Sequence, residues 1–182
     1  MRLRPPPTSA FAVPAAAATA VLLVATSASA SVGTAHSAGL SRLGTCQEKA
    51  LGVKAAPGGP ENVVHISVTN HGASSCVVDR IPTITFAGLD GSAQTVPPAE
   101  SGPYTLARGG RAYAALRTAD PASTEGHFVG ALGVSADPSH YGVSFGAAAV
   151  GMPQGIHVWE PITTLWQGSA AAASSALADA LG

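Results

Sequence analysis

Charged and aromatic side chains are scarce in this sequence. Lys, Arg, Asp and Glu together make up 10% of the 182 residues, and aromatic residues make up 5%. After the first 30 residues, seven basic residues face ten acidic ones, a net charge of about −3. Recognition of nucleic acid depends on clustered Lys and Arg, and here the basic residues are scattered. The composition therefore argues against a nucleic-acid partner.

Patterns that carry known chemistry are also scarce. The sequence has no S-x-x-K, no H-E-x-x-H, no P-loop and no Cys-x-x-Cys. Its histidines do not have the spacing of metal ligands, and alternation along the strongest predicted strand places His65 on an outward face, with His71 in the turn that follows. We therefore predict no cofactor, no metal site and no enzymatic activity. The alternative is an exported hydrolase-type enzyme whose site is assembled from distant loops, with candidates Asp120, Ser123 and His127.

The N-terminus has the features of a secretory signal peptide over residues 1–30. Arg2 and Arg4 form a positive region, residues 11–24 are apolar, and residues 28–30 read Ala-Ser-Ala, a small-residue cleavage site. A membrane anchor is the rival reading, but this apolar segment is shorter than the roughly 20 residues that a spanning helix needs. We expect a secreted, extracellular protein without stable membrane insertion, beginning with a flexible lead-in over residues 31–44.

Only two cysteines are present, Cys46 and Cys76. In an exported chain two cysteines most often pair with each other, whereas a free thiol nucleophile would not stay reduced in an oxidising compartment. We therefore predict a disulfide bond. Its loop of about 30 residues would stabilise the fold by roughly 3 kcal/mol in the chain-entropy model.

The remaining pattern is that of short strands separated by turns. Gly (21) and Pro (14) are frequent, and turn signals recur every ten or so residues, the spacing of an all-β sandwich or barrel. The strongest strand spans residues 63–69, where Val64, Ile66 and Val68 alternate with polar residues. One β-domain is predicted over residues 45–168.

Two hairpins are predicted from turn chemistry. Asp90-Gly91 is a favoured pair for a tight turn and would join a strand at 83–86 to one at 94–96. Gly109-Gly110 would join a strand at 104–106 to one at 111–117. In that last strand Ala112, Ala114 and Leu116 would face inward.

The last segment, residues 169–182, is rich in alanine. Leu177 and Leu181 are its only large apolar residues, so a helix there would have little to bury. We expect a frayed or disordered end.

Several short motifs occur in the order found in one known family. They are Val68-Thr69-Asn70-His71-Gly72, then Cys76, then Ile81-Pro82, then the turn at Asp90-Gly91. In this order the chain resembles domain-of-unknown-function family 4232, a family of secreted actinobacterial proteins, over residues 46–168. The resemblance implies an immunoglobulin-like antiparallel β-sandwich outside the cell and no known activity. The sequence departs from the family pattern at Arg80-Ile81 and at Gly109-Gly110, and it lacks a second cysteine pair.

These observations favour a binding module over an enzyme. We expect a monomeric, uncharacterised, secreted domain that contacts a protein or a cell-envelope component through loops or an exposed sheet face. Large aromatic residues are the candidates for such a surface, namely Tyr104, Trp159 and Trp166, together with the loop at 97–104. At least one of the two tryptophans is expected in the core, since sandwich domains bury large aromatics. A passive envelope protein is the third interpretation.

Overall fold

The computed structural model describes residues 43–182. The predicted signal peptide and all of the lead-in except Leu43 and Gly44 lie outside the described residues. The described chain is mostly β-structure, with two short 3-10 helices at Glu48–Ala50 and Ala147–Val150 and one α-helix, α1, at Ala170–Leu181. The strands, in chain order, are β1 (Leu51–Pro57), β2 (Val63–Asn70), β3 (Cys76–Asp79), β4 (Thr83–Phe86), β5 (Gln94–Val96), β6 (Pro103–Leu106), β7 (Arg111–Arg117), β8 (His127–Val129), β9 (Ala131–Ser135), β10 (Val143–Gly146), β11 (Ile156–Val158) and β12 (Ile162–Thr164).

The largest sheet contains five strands in the order β1-β2-β7-β12-β5. All pairs are antiparallel except β12 with β5. The predicted alternation of β2 is confirmed, because Val64, Ile66 and Val68 are at most 1% exposed while the residues between them are partly accessible. The inward set predicted for β7 is also confirmed. One face of this sheet therefore carries part of the core.

Three smaller sheets contribute further residues to the core. Their strand orders are β10-β9-β4, β11-β8 and β3-β6. Buried residues from all three, including Ile84, Leu106, Leu132 and Ile156, form one continuous cluster with the inward residues of β2 and β7. Sheets packed across a shared apolar layer form a sandwich, so the predicted all-β sandwich is confirmed. Its immunoglobulin-like topology stays a prediction.

Both predicted hairpins are wrong, although their turns exist. Strand β4 pairs with β9, whereas β5 lies in the five-stranded sheet beside β12. Likewise β6 pairs with β3, whereas β7 pairs with β2 and β12. Gly91 and Gly109 do adopt positive φ, as tight turns require. Each turn therefore carries the chain from one sheet to another instead of closing a hairpin.

The Thr-Asn-x-Gly motif at the end of β2 connects three chain segments through Asn70. This side chain is 0% exposed, and its Nδ2 lies 2.9 to 3.2 Å from the carbonyl oxygens of Ser74, Leu106 and Ala107. Its Oδ1 accepts a hydrogen bond of 2.8 Å from the backbone N–H of Gly72. A side-chain amide can donate and accept at once, so Asn70 joins the end of β2 to the end of β6 and the residue that follows it.

The predicted disulfide is present. Cys46 and Cys76 are bonded with a Cα–Cα distance of 4.9 Å and are 30 residues apart in the sequence. Backbone hydrogen bonds run beside it, from the Cys46 N–H to the Val77 carbonyl and from the Val77 N–H to the Gly44 carbonyl. The first described residues are thereby fixed to the edge of β3.

The expectation of a frayed C-terminal end is wrong. Residues of this segment form α1, whose N-terminus is capped by the Ser169 hydroxyl accepting from the Ala172 N–H. The helix packs on the outer face of the five-stranded sheet, where Ala173 and Leu177 are buried in a second cluster with Ala115. Sequence reasoning underestimated this contact because small alanines let the helix approach the sheet closely, so that one leucine suffices. The domain boundaries proposed from sequence stay a prediction.

Candidate functional site

An exposed aromatic surface beside two grooves lies on the two-stranded sheet β8–β11. Phe128 on β8 is directly opposite His157 on β11, and both point outward because Val129 and Ile156 point into the core. The two rings stack, with centroids 5.0 Å apart and an interplanar angle of 16°. We call Phe128 and His157 the aromatic face.

The position of the His157 ring is fixed by the chain around it. Its Nε2 lies 2.6 Å from the carbonyl oxygen of Glu125, and a carbonyl can only accept, so this nitrogen carries a proton. Gly126, at φ +111°, lies so close to Val158 and to the His157 ring that any side chain there would overlap the Val158 carbonyl oxygen. Phe128 therefore stacks on a ring that is already held in place.

Phe128 itself remains 70% exposed. It borders a groove of about 450 Å³ that is also lined by Asn62, Ser123, Met152 and Gln154. It borders a second, more open groove of about 540 Å³ as well. A rigid aromatic ring between two grooves is suited to bind a ligand that runs across it.

A third groove lies beside Trp159, at the end of β11. It has a volume of about 300 Å³ and is lined by Phe86, Leu89, His127 and Trp159, among others. The Trp159 side chain is 37% exposed, and its backbone N–H donates to the Thr118 carbonyl. Trp159 therefore remains a candidate contact residue.

The other two predicted contact residues lie elsewhere. Trp166 is 3% exposed and belongs to the main core, so the expectation that one tryptophan is buried holds and a platform of both tryptophans does not form. Tyr104 is partly buried on β6, opposite Val78, and packs against the same core. The loop before it is exposed and is held by Arg80, whose Nε donates to the Glu100 carbonyl. That loop contains no aromatic ring before Tyr104.

The residues of the hydrolase alternative are not joined to one another. The carboxylate of Asp120 accepts from the Ala122 N–H and lies 3.6 Å from Arg117, and the Ser123 hydroxyl accepts from the Glu125 N–H. His127 lies on β8 beside the third groove. Within residues 43–182 no hydrogen bond connects any two of the three predicted side chains. Asp120 and Ser123 act here as turn-stabilising residues.

Sequence reasoning missed a G-x-S-x-G pattern at residues 142–146, which includes Ser144. In hydrolases of that pattern the serine sits on a sharp turn between a strand and a helix. Here Ser144 lies inside β10, paired with Gly133 of an antiparallel neighbour. The sequence pattern is present, but the strand-to-helix turn that exposes the serine in those hydrolases is not found at Ser144.

The histidines of the described chain have different partners. His65 points outward as predicted but is covered by α1, where its Nε2 lies 3.0 Å from the Ser174 hydroxyl. His140 approaches the Cys46 carbonyl at 2.9 Å, and His71 is exposed after β2. Across the described part of the chain no three His, Cys, Asp or Glu side chains converge as metal ligands.

One carboxylate has a clearly altered acidity. Burial raises the pKa of Asp137. Hydrogen bonds from the Ser139 hydroxyl and N–H and from the Asp79 N–H, together with the nearby His140, lower the pKa by more than burial raises it. The pKa therefore lies below its ordinary value of 3.8. The Ser139 hydroxyl donates at 2.6 Å and the Asp79 N–H at 3.1 Å. Asp137 therefore fixes the loop between β9 and β10 to the end of β3.

Phe128 is an exposed aromatic residue that sequence reasoning did not single out. The sequence feature that could have indicated it is its position in a short segment between Gly126 and Gly130. The residue after it, Val129, faces the core, so Phe128 faces outward. The chain forms two strands here, β8 and β9, which are separated at Gly130. A break at Gly130 would have assigned Phe128 to a separate short strand with its ring outward.

Comparison with protein families identifies the class of this domain. The family described as Domain of unknown function (DUF4232) matches residues 46–166, and the chain belongs to this family. The predicted resemblance is thus confirmed. Comparison with curated proteins gave no match, and comparison with solved structures gave none. Among residues 43–182 no helix has the length and apolarity to cross a bilayer.

Proposed function

We propose that this chain is a secreted, non-catalytic binding module that contacts a protein or a cell-envelope component through the aromatic face. The observation that carries the proposal is the Phe128 ring, which is 70% exposed although it is stacked on His157. Keeping a phenylalanine in water forgoes roughly 1.5 to 3 kcal/mol of burial free energy. A ligand that covers the ring would recover part of it.

Phe128 is not an isolated exposed residue, because other apolar residues surround it, and this supports a contact surface. Single exposed apolar residues are normal on proteins, whereas apolar groups grouped around a concave surface mark interaction sites. Pro121, Met152 and Pro153 line the same groove as Phe128. The strands beneath are tied into the core by Val129 and Ile156, so the surface is preorganised.

The proposed extracellular location rests on two features. The Cys46–Cys76 disulfide belongs to an oxidising compartment. Residues 1–30 have the charge and apolar pattern of a secretory leader.

The test is retention of envelope components by the immobilised mature domain and its variants. We expect the wild type to retain a specific component of a cell-envelope extract, Phe128→Ala to lose it, and Trp159→Ala to keep it in part. The matched control is Tyr141→Ala, because Tyr141 is fully exposed and lies outside the grooves that Phe128 borders. Equal retention by the Phe128 variant would place the surface elsewhere. Specific retention of nothing would favour a passive envelope protein.

A further inference from the structure

We infer that the aromatic face binds a neutral oligosaccharide, with one sugar ring stacked on Phe128 and the chain extending into the grooves on either side. This inference rests on the proposed binding function and adds the class of ligand. It is carried by three properties of the site, namely the charge of the groove walls, the single accessible ring, and the continuity of the two grooves.

The first groove has both apolar and polar walls and is almost uncharged. Its hydrogen-bonding side chains include Asn62, Ser123, Thr124 and Gln154, and among the described residues that line it Glu61 is the only formally charged side chain. Amides and hydroxyls can each donate and accept, which matches the hydroxyl groups of a sugar. A phosphate or carboxylate ligand would instead need Arg or Lys, and within residues 43–182 neither lines this groove.

The aromatic face presents one ring for stacking. Because Phe128 and His157 stack on each other, they do not form the two walls of a slot, and the solvent-facing surface of Phe128 is the part that a ligand can cover. A pyranose ring has a flat side rich in C–H groups that fits a single aromatic surface. The His157 ring is held by the Glu125 carbonyl, so little conformational freedom is lost on binding.

The two grooves form a continuous surface past Phe128. Gln154 and Gly155 line both of them, as Phe128 does. The second groove is also bordered by Gly130 and Gly146, where an added Cβ would meet nothing within 4 Å. Both positions thus leave the backbone open to a ligand. This length of surface suits a chain of several sugars more than a single sugar.

A proline-rich peptide is the competing ligand. Such peptides bind in grooves lined by aromatic side chains that hold the proline rings between them. Within residues 43–182 Phe128 is the only Phe, Tyr or Trp that lines the first two grooves. The His157 ring stacks on one face of the Phe128 ring, so only the other face is open to a ligand. The wall composition therefore favours the sugar, and the peptide becomes an outcome of the test.

The experiment is binding of the mature full-length domain to a glycan array of neutral and anionic oligosaccharides, followed by titration calorimetry with the best neutral glycan. We expect binding to neutral glycans that strengthens with chain length. Phe128→Ala should weaken it at least 10-fold, whereas Phe128→Trp, which keeps an aromatic surface, should retain it. Gln154→Ala should weaken it several-fold. Tyr141→Ala serves as the matched exposed aromatic control and should bind as the wild type does.

Three outcomes would overturn the inference. They are absence of binding to any neutral glycan, preference for anionic glycans, and neutral-glycan binding that Phe128→Ala leaves unchanged. A synthetic proline-rich peptide that binds in a Phe128-dependent manner while the glycans do not would also overturn it, but would leave the proposed binding function standing. Far-UV circular dichroism of each variant establishes that it is folded before its binding is compared.

Discussion

At the scale of single residues, Asn70 shows how a short motif acts through a buried amide. We expect Asn70→Ala to lower the free energy of unfolding by about 3 kcal/mol, because it leaves the Gly72 N–H and up to three carbonyl groups without their partner. Urea unfolding followed by circular dichroism measures the change. The control is Thr69→Ala, which removes an exposed hydrogen bond to Arg111 and should cost well under about 1 kcal/mol. Similar losses in both variants would contradict this role of Asn70.

A second residue-scale prediction concerns the pH dependence of stability. The pKa of Asp137 is lowered in the folded protein, so the folded carboxyl stays ionised to a lower pH than the unfolded one. Its stabilising contribution is therefore complete above 3.8, the ordinary pKa, and is lost as the pH falls through the lowered folded pKa. Asp137→Asn should be less stable than the wild type at neutral pH, and the difference should shrink in acid.

Urea unfolding at a series of pH values measures that difference. We expect it to be about 1 kcal/mol at neutral pH, since Asp137 is only partly buried and solvent weakens its interactions. The control is Asp90→Asn, an exposed carboxylate without a side-chain hydrogen bond in the described structure. A constant difference between Asp137→Asn and the wild type at all pH values would show that its charge is not the cause.

The close approach at Gly126 gives a third prediction. Gly126→Ala should distort the chain beside His157, because the new Cβ would overlap the Val158 carbonyl oxygen and φ is +111°. We expect a loss of about 1 to 3 kcal/mol and weaker binding at the aromatic face. Gly168→Ala is the matched control, since a Cβ there meets nothing within 4 Å and Gly168 lines neither groove beside Phe128. Thermal unfolding of both variants measures the loss, and equal stability of the two would contradict the steric argument.

At the scale of elements, α1 is held to the sheet by very few side chains. Leu177→Ala should lower stability by about 2 kcal/mol, the low end for a buried leucine, because the cluster beneath it is small and peripheral. Leu181→Ala is the control, since Leu181 is 44% exposed. Hydrogen exchange of the α1 amides should accelerate in the first variant only. Unchanged protection in Leu177→Ala would mean that the Ser174 contact with His65 is enough to hold the helix.

Strand positions could be predicted from the sequence better than strand partners. The alternation of β2 and β7 predicted both their residues and their inward faces, because period two follows directly from strand geometry. The turns at Gly91 and Gly109 were also predicted, since positive φ favours glycine. The pairing of the strands was not predicted, because a turn residue fixes a local bend whereas pairing depends on packing across the whole core. That is why both hairpins failed.

At the scale of the whole molecule, the exposure of aromatic side chains was the hardest feature to predict. Trp166 and Phe128 are both large apolar residues near turns, yet one is 3% and the other 70% exposed. Local pattern does not distinguish them, because exposure depends on which sheet covers each strand. Phe128 became recognisable only once β8 was paired with β11 at the edge of the core. By contrast the disulfide needed no tertiary information, because only two cysteines exist to pair.

The disulfide gives the prediction that separates stability from binding. Replacing both Cys46 and Cys76 by serine should lower the free energy of unfolding by roughly 3 kcal/mol, because the unfolded chain regains the freedom of a closed loop of 30 residues. Denaturant unfolding of this variant and of the wild type, with and without a reducing agent, measures the effect. The reductant should destabilise the wild type alone. Since neither cysteine lines the grooves beside Phe128, ligand binding by the folded fraction should be unchanged. Loss of binding in a variant that is still folded would show that the position of the aromatic face depends on the disulfide.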